Sequence, residues 1–600
     1  MQNGVTDMQN GMKISMKRVF WLLVVLFVMI LGKLFKTVAY DRQMIASSSY
    51  NSRLGYDSGD FKRGTIYDVD GNVMAESVKD GDRYKRQYPY GRAAAHITGY
   101  TGSGAVGIEA AENFTLLGLN NEISQRAENI LHGVEMQGND VHLTVDMDIQ
   151  QLAYELLGNN KGAAVVMNPT TGAIIAMAST PAYNPNTVNA DWNELANDSS
   201  SPMLNRATQG LYPPGSTFKI VTALAAMRNM ANIDDFTFDC EGEVEIGNSV
   251  IHCYNSRAHG RLNIDDAMAV SCNSTFATLG KTIGAAKLRE TADNLNANSA
   301  ITLEVPLSQS SVSLSRFSSD SELAETSIGQ GKTVVTPLYM AMLISSVAND
   351  GQMMQPYMVS SITDSAGNTV STTVPKVYDT VMTAQEADRL TEMLIQVINR
   401  GTGTAAQLKG YQAAGKTGTA ENENENDHSW FVGFASTDNP QVAVAVILEN
   451  VSGNERATPI GARLMQAVLD KQNAGKIDNN NYNYQAQPVT PEENKNDEIN
   501  SDTEIIENTE TPDDDYVIGS DNTDGSTDGT SNGNNNENGT DGAQNGSPGT
   551  NDGSSGDNNT GGGTTETPTI GGSDNNTEGG NTAPGLYKDN EGHRLELVNK

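Results

Sequence analysis

The sequence is poor in cysteine and in positive charge. Three cysteines in 600 residues exclude a disulfide-dense scaffold. Lys and Arg number 39 against 74 Asp and Glu, a formal net charge of −35. That balance excludes nucleic-acid binding, which needs a cationic footprint. Only one long apolar run exists, so a membrane bundle is excluded too. The acid is unevenly spread. Residues 476–600 hold 25 acidic and 5 basic residues, so −20 of the −35 lies there and the rest of the chain carries −15. A chain of this length is expected to hold more than one domain, because single cores stop growing well below it.

The apolar run extends from Val19 to Leu31, after Lys13, Lys17 and Arg18. It is too short for a bilayer core of roughly 30 Å. Extended to Tyr40 it reaches 22 residues, with Lys33 and Lys36 snorkelling to the interface. This reads as an uncleaved signal-anchor. A cleaved signal peptide is the rival, with Thr37-Val38-Ala39 as a weak cleavage site. Flanking charge does not orient the segment, since Lys33, Lys36 and Arg42 balance the three residues before it.

Beyond the anchor, residues 41–138 are mixed and turn-rich. Residues 63–77 alternate around Asp70-Gly71, a hairpin signal. Residues 141–160 pass from strand alternation to helical period. Residues 161–180 read as two strands joined across Asn168–Gly172. Residues 428–435 and 441–450 read as a second antiparallel pair, and residues 461–472 as a closing helix. The layout is α+β, with an antiparallel sheet assembled from distant segments around a helical middle. From residue 476 the composition turns to Asn, Gly, Asp, Ser and Thr. Such a stretch buries too little apolar surface to offset chain entropy and is expected to be a disordered acidic tail.

Three short motifs carry chemistry. In Ser216-Thr217-Phe218-Lys219, a Pro-Pro-Gly turn precedes Ile220, Val221, Leu224 and Met227 at helical spacing. Ser216 then sits at a helix N-terminus with Lys219 one turn on, on the same face. Backbone N–H groups there favour developing negative charge. A serine needs a base to become a nucleophile, and a desolvated lysine near a second cation can serve. Alone, this pattern is equally an N-cap serine with a chance lysine. Ser271-Cys272-Asn273 follows 55 residues later, offering a proton-relaying hydroxyl and an amide to hold a peptide carbonyl. Lys416-Thr417-Gly418 comes 145 residues after that, with a cation for a carboxylate, a glycine that lets substrate approach a strand edge, and hydroxyls at Thr417 and Thr419. Each motif answers a separate need of acyl transfer. Gly410 to Thr417 also fits a phosphate-binding loop, but a polar, charged stretch follows where that motif needs an apolar helix.

With these motifs the chain resembles the penicillin-binding proteins, which carry the same set. Segments 205–219, 327–341 and 427–435 resemble the class B transpeptidase domain, and 63–75 the opening of its N-terminal pedestal. The similarity covers about residues 41–472. It implies a cytoplasmic N-terminus over 1–18, a signal-anchor over 19–40, a small β-rich pedestal over 41–138, a transpeptidase domain over 139–475 and a tail over 476–600. The implied fold is an antiparallel sheet with helices on both sides and a helical subdomain. The implied activity is peptidoglycan D,D-transpeptidation outside the membrane, with no cofactor and no metal. Ser216 would attack the D-Ala-D-Ala bond of a stem peptide, with Lys219 as base. Ser271 would relay protons and Asn273 position substrate. Lys416 and Thr417 would complete the proton network, Thr417 and Thr419 would bind the terminal carboxylate, and Gly418 would sit in the substrate-binding strand. Backbone N–H groups of Ser216 and Thr419 would form the oxyanion hole. The implied partners are stem peptides of the lipid-linked precursor polymer, β-lactams, and a multipass membrane glycosyltransferase. A β-lactamase-like hydrolase, a D,D-carboxypeptidase and a non-catalytic scaffold for that glycosyltransferase are the alternatives.

Cys240 and Cys253 fit a local disulfide in an oxidising exterior. A zinc site with His252 or His259 matches no strong spacing signature, and two free buried thiols form the third reading. Cys272 reads as a small buried residue beside the site.

Overall fold

The computed structural model describes residues 16–33, 61–102, 104–119, 137–422, 426–451 and 456–473. The expected tail, the first part of the pedestal and the second half of the anchor lie outside the described residues. Residues 16–33 form a helix. Most of its apolar side chains from Val19 to Leu31 stand exposed. Among the described residues no helix is long and apolar enough to cross a membrane.

The centre of the molecule is a five-stranded antiparallel sheet. Its strands are β1 (Gly162–Met167), β2 (Ile174–Thr180), β3 (Ala413–Ala420), β4 (His428–Ala435) and β5 (Val442–Leu448). Their spatial order is β3-β4-β5-β1-β2. The β1–β2 and β4–β5 hairpins form as the sequence predicts. In the first, Asn168 Oδ1 accepts from the Thr170 and Thr171 N–H groups and Gly172 takes a positive φ of 80°. Strands β1, β4 and β5 are buried along their whole length. Successive side chains on a strand face opposite sides. Val165, Met167, Val432, Phe434, Ala445 and Ile447 therefore enter one core, while Val166, Phe431, Val444 and Val446 enter a second. Both faces are covered by helices, which is why these strands read as continuous apolar runs rather than as alternation.

The second core is closed by α1 (Met147–Leu157) and α6 (Ala457–Gln472). The first is filled by α4 (Pro337–Ala348), buried on every side, which starts on Pro337 with the Thr336 hydroxyl accepting from the Tyr339 N–H. Beside it lie α2 (Lys219–Asn229), α3 (Asn273–Ile283) and α5 (Ala384–Arg400), the expected helical middle.

A six-stranded sheet joins the N-terminal part to a later segment. Its order is Thr369–Thr372, Val359–Thr363, Asp140–Leu143, Ile66–Tyr67, Val73–Asp80, Arg83–Gln87. The hairpin at Asp70-Gly71 is present, with Gly71 at φ 83°. Arg63 and Arg86 both clamp the buried Glu109 carboxylate, at 2.8 and 2.6 Å. Burial pushes that carboxyl up, but the two guanidinium groups outweigh it and hold it below the usual range. Removing either arginine leaves a buried charge under-compensated, which is costly.

Candidate active site

Ser216 lies in a 3-10 turn, Gly215–Phe218, that runs straight into α2. Gly215 is at φ 52°, and a Cβ there would stand 2.4 Å from the Thr419 carbonyl oxygen. Only glycine fits both demands. Its N–H donates to Gly329 O at 2.9 Å, and Gly329 is as tightly enclosed: a Cβ would meet Gly215 O at 2.1 Å. Trp430 Nε1 donates to Pro213 O at 3.0 Å. Backbone bonds also pair Tyr212 with Val335, at 3.0 and 2.8 Å. The turn bearing Ser216 is thus bound on one side to β3 and on the other to residues 329–335. Gly418 completes the fit, because a Cβ on it would stand 2.9 Å from both Thr217 Cγ2 and Trp430 Cβ.

Lys219 is completely buried in the first turn of α2. Its Nζ lies 3.1 Å from Ser216 Oγ, 2.6 Å from Ser271 O, 3.1 Å from Ser271 Oγ and 2.6 Å from Asn273 Oδ1. The Asn273 amide is oriented by its other end, where Nδ2 donates to His252 O at 2.9 Å. Two of the four neighbours of Lys219 are carbonyl oxygens and can only accept. A neutral amine satisfies both with its two hydrogens, and its lone pair is left for a hydroxyl proton. Burial lowers the Lys219 ammonium to about 8. The arrangement can therefore take a proton from Ser216.

Ser271 joins the two lysines. Its Oγ also receives Lys416 Nζ at 2.9 Å, and Lys416 donates a second bond to Thr417 O at 3.0 Å. Lys416 is fully buried, and burial, then the nearby Lys219 ammonium, push it well below the ordinary lysine range. Ser271 reaches this position from φ 57°, a left-handed conformation unusual for a side-chain-bearing residue. Ser216, Lys219, Ser271, Asn273 and Lys416 are thus brought into one contact network.

Lys416, Thr417, Gly418 and Thr419 lie on β3, at the edge of the sheet. Thr417 is half-buried and Thr419 exposed. The Thr417 hydroxyl meets Thr402 Oγ1 at 2.6 Å, a partner the sequence did not single out. Thr402 stands just past α5, and its N–H donates to Ala269 O at 3.1 Å, so it ties β3 to the helix before Ser271. Its only sequence signal is the Gly401-Thr402-Gly403 turn after an amphipathic helix. Residues 413–420 are strand throughout, which disposes of the phosphate-loop reading. The expected Cys240–Cys253 disulfide is not formed: all three cysteines are free thiols, and Cys253 Sγ lies 3.7 Å from each of the other two sulfurs.

Comparison with known proteins agrees with this geometry. Residues 162–466 match the penicillin binding protein transpeptidase domain, and residues 63–141 the penicillin binding protein A dimerisation domain. The chain is 31% identical over 490 residues to the peptidoglycan D,D-transpeptidase PbpA of Mycolicibacterium smegmatis, covering 76% of this chain and 99% of that protein. It is 29% identical to the peptidoglycan D,D-transpeptidase MrdA of Escherichia coli K12, over 64% of this chain and 71% of the relative. Among solved structures it is similar to the imipenem acyl-enzyme of penicillin-binding protein A from M. tuberculosis, with a TM-score of 0.65 and 31% identity over 68% of this chain and 99% of the other. The D,D-transpeptidase domain of a peptidoglycan glycosyltransferase from Eggerthella lenta gives a TM-score of 0.63 and 36% identity over 70% and 99%. A buried lysine held between two serines, on a sheet built from these segments, is thus found in a chain that belongs to the class B penicillin-binding proteins and is a peptidoglycan D,D-transpeptidase.

Proposed function

We propose that Ser216 is the nucleophile of this transpeptidase and Lys219 its base. The observation that carries the reading is the Lys219 amine 3.1 Å from Ser216 Oγ, with carbonyl oxygens occupying its hydrogens. Ser216 Oγ attacks the carbonyl carbon of the D-Ala-D-Ala bond as its proton passes to Lys219. The C–N bond breaks, and the proton leaves with the amine of the departing D-Ala. An acceptor amine on a neighbouring strand then attacks the ester and gives its proton to the same lysine. The new C–N bond forms, the Oγ–C bond breaks, and Ser216 is reprotonated. Ser271 and Lys416 carry protons and positive potential around this cycle, and Asn273 holds a substrate carbonyl. Thr417 and Thr419 receive the terminal carboxylate along the β3 edge beside Gly418. The Ser216 and Thr419 N–H groups stabilise the oxyanion. Among the described residues, no carboxylate hydrogen-bonds to Ser216, Lys219, Ser271 or Lys416, which favours transfer to an amine over a carboxylate-activated water.

β-Lactams acylate the same serine, as penicillin G does in penicillin-binding protein A from M. tuberculosis. Residues 19–40 anchor the chain in the cell membrane as a single pass, with residues 1–18 cytoplasmic and the catalytic domain outside. The exposed apolar surface from Val19 to Leu31 supports insertion, since a patch of that kind is unfavourable in water. The substrate is the stem peptide of the lipid-linked precursor polymer, made by a multipass membrane glycosyltransferase partner. Labelling with a fluorescent penicillin tests the assignment: wild type retains covalent label and Ser216→Ala does not. Label retained by Ser216→Ala would mean that another residue is the nucleophile.

A further inference from the structure

Three sulfurs and one imidazole converge directly behind the Ser271–Asn273 loop. Cys240 Sγ lies 3.7 Å from Cys253 Sγ, Cys253 Sγ lies 3.7 Å from Cys272 Sγ, and His259 Nδ1 lies 3.4 Å from Cys240 Sγ. All four donor atoms fall within 4.8 Å of one another. The cysteines are buried and His259 partly so. A tetrahedral zinc ion with Zn–S about 2.3 Å and Zn–N about 2.05 Å requires S···S edges of about 3.8 Å and S···N edges of about 3.6 Å. The observed spacings fit those edges. A disulfide uses two sulfurs about 2.05 Å apart and gives the third sulfur and the ring no reason to converge.

We propose that Cys240, Cys253, His259 and Cys272 bind one zinc ion as a closed structural site. This replaces the expectations of a Cys240–Cys253 disulfide and of no metal. The surroundings suit thiolate ligands. Thr275 donates to Cys272 Sγ through both its N–H, at 3.5 Å, and its hydroxyl, at 3.1 Å. The Ser274 hydroxyl is 3.3 Å from Cys253 Sγ. Donors of this kind orient and stabilise metal-bound sulfur. Backbone bonds hold the loop that carries the other ligands: the Cys253 N–H donates to Gly242 O at 2.8 Å, and the His259 N–H to Cys240 O at 3.2 Å. Hydrogen bonding to Cys272 holds the Cys240 and Cys253 thiols below the ordinary range. Four protein ligands leave no open position, so the ion fixes structure rather than activating water.

What it fixes is the catalytic loop. Cys272 stands between Ser271 and Asn273, both of which touch Lys219. The Asn273 amide also donates to His252 O, adjacent to Cys253. The ion therefore clamps this loop to the Glu243–Ile246 and Ser249–His252 hairpin, and the ligands act as positioning residues for acylation.

The test uses the full chain in detergent, purified with reductant and without chelator. Metal analysis is expected to find about one zinc per chain, lost in Cys240→Ser and in His259→Ala. Thr275→Val is expected to lower zinc affinity about 10- to 100-fold while the chain still folds. Removing the ion should slow penicillin acylation, and zinc alone should restore it. If the ligand variants fail to fold, the cobalt-substituted wild type decides, through the thiolate charge-transfer and tetrahedral d–d bands of a sulfur-rich site. Reduced wild type that takes up no zinc, zinc held equally by Cys240→Ser, or a chain with one titratable thiol and a disulfide would each overturn the site. Zinc content reads the site without reference to the transpeptidase chemistry, so the two assignments fail separately.

Discussion

Acylation of Ser216 by a fluorescent penicillin is expected to rise with pH and level off above a midpoint near 8. The reason is the burial of Lys219, which lowers its ammonium to about 8 while its neighbours remain uncharged oxygen atoms. The sign follows from the role. A base must be neutral, and a group whose protonated form is disfavoured is neutral above its own pKa. The neutral fraction is about one in eleven at pH 7, one half at pH 8 and ten in eleven at pH 9, so the rate constant should rise roughly tenfold from pH 7 to pH 9. A lysine at its ordinary value near 10.4 would give a rise of roughly 100-fold over that interval with no plateau. The assay is the second-order acylation rate from pH 6 to pH 10 at fixed ionic strength. Lys219→Arg, permanently charged, should lose about 10²- to 10⁴-fold and show no step near 8. A wild-type rate that is flat across this range, or that falls above pH 8, would refute the reasoning, because the charged amine would then be the active form.

Ser271→Ala and Ser271→Gly both remove the hydroxyl that joins Lys219 and Lys416, so both should slow acylation at least about tenfold. At φ 57° the glycine variant should be more stable than the alanine variant by about 1 kcal/mol in denaturant melts, and equal stabilities would remove the argument from strain. Gly215→Ala should destabilise by about 2 kcal/mol and abolish labelling, since its Cβ meets Thr419 O at 2.4 Å in a left-handed position; wild-type melting and labelling would show that the turn can retreat from β3. Thr402→Val breaks the 2.6 Å hydroxyl pair with Thr417 and should slow turnover of a D-Ala-D-Ala peptide about fivefold, recovered in Thr402→Ser; no change would mean that Thr417 holds its position unaided.

Local rules were enough wherever one stretch of chain decides its own structure. Asn168 with Gly172 closes a hairpin whatever surrounds it, and Pro213-Pro214-Gly215 before a helical repeat sets Ser216 at a helix start. The i, i+3 spacing alone puts Lys219 on the same face as Ser216. Local rules failed where the answer depended on a partner from elsewhere. Nothing in Gly401-Thr402-Gly403 announces Thr417, and Cys240 with Cys253 reads as a pair until Cys272 and His259 arrive from other segments.

The residue types therefore determined the chemistry by themselves: a serine, a lysine one turn on, a second lysine with its glycine, and the order in which they occur. Only the tertiary structure decided that Lys219 and Lys416 meet at one serine oxygen and that Gly215 lies against Thr419. It also decided that a third sulfur joins the cysteine pair. The physical reason is range. Turn and helix preferences act over a few residues, whereas desolvation of a lysine and the approach of two chain segments depend on which distant surfaces pack together.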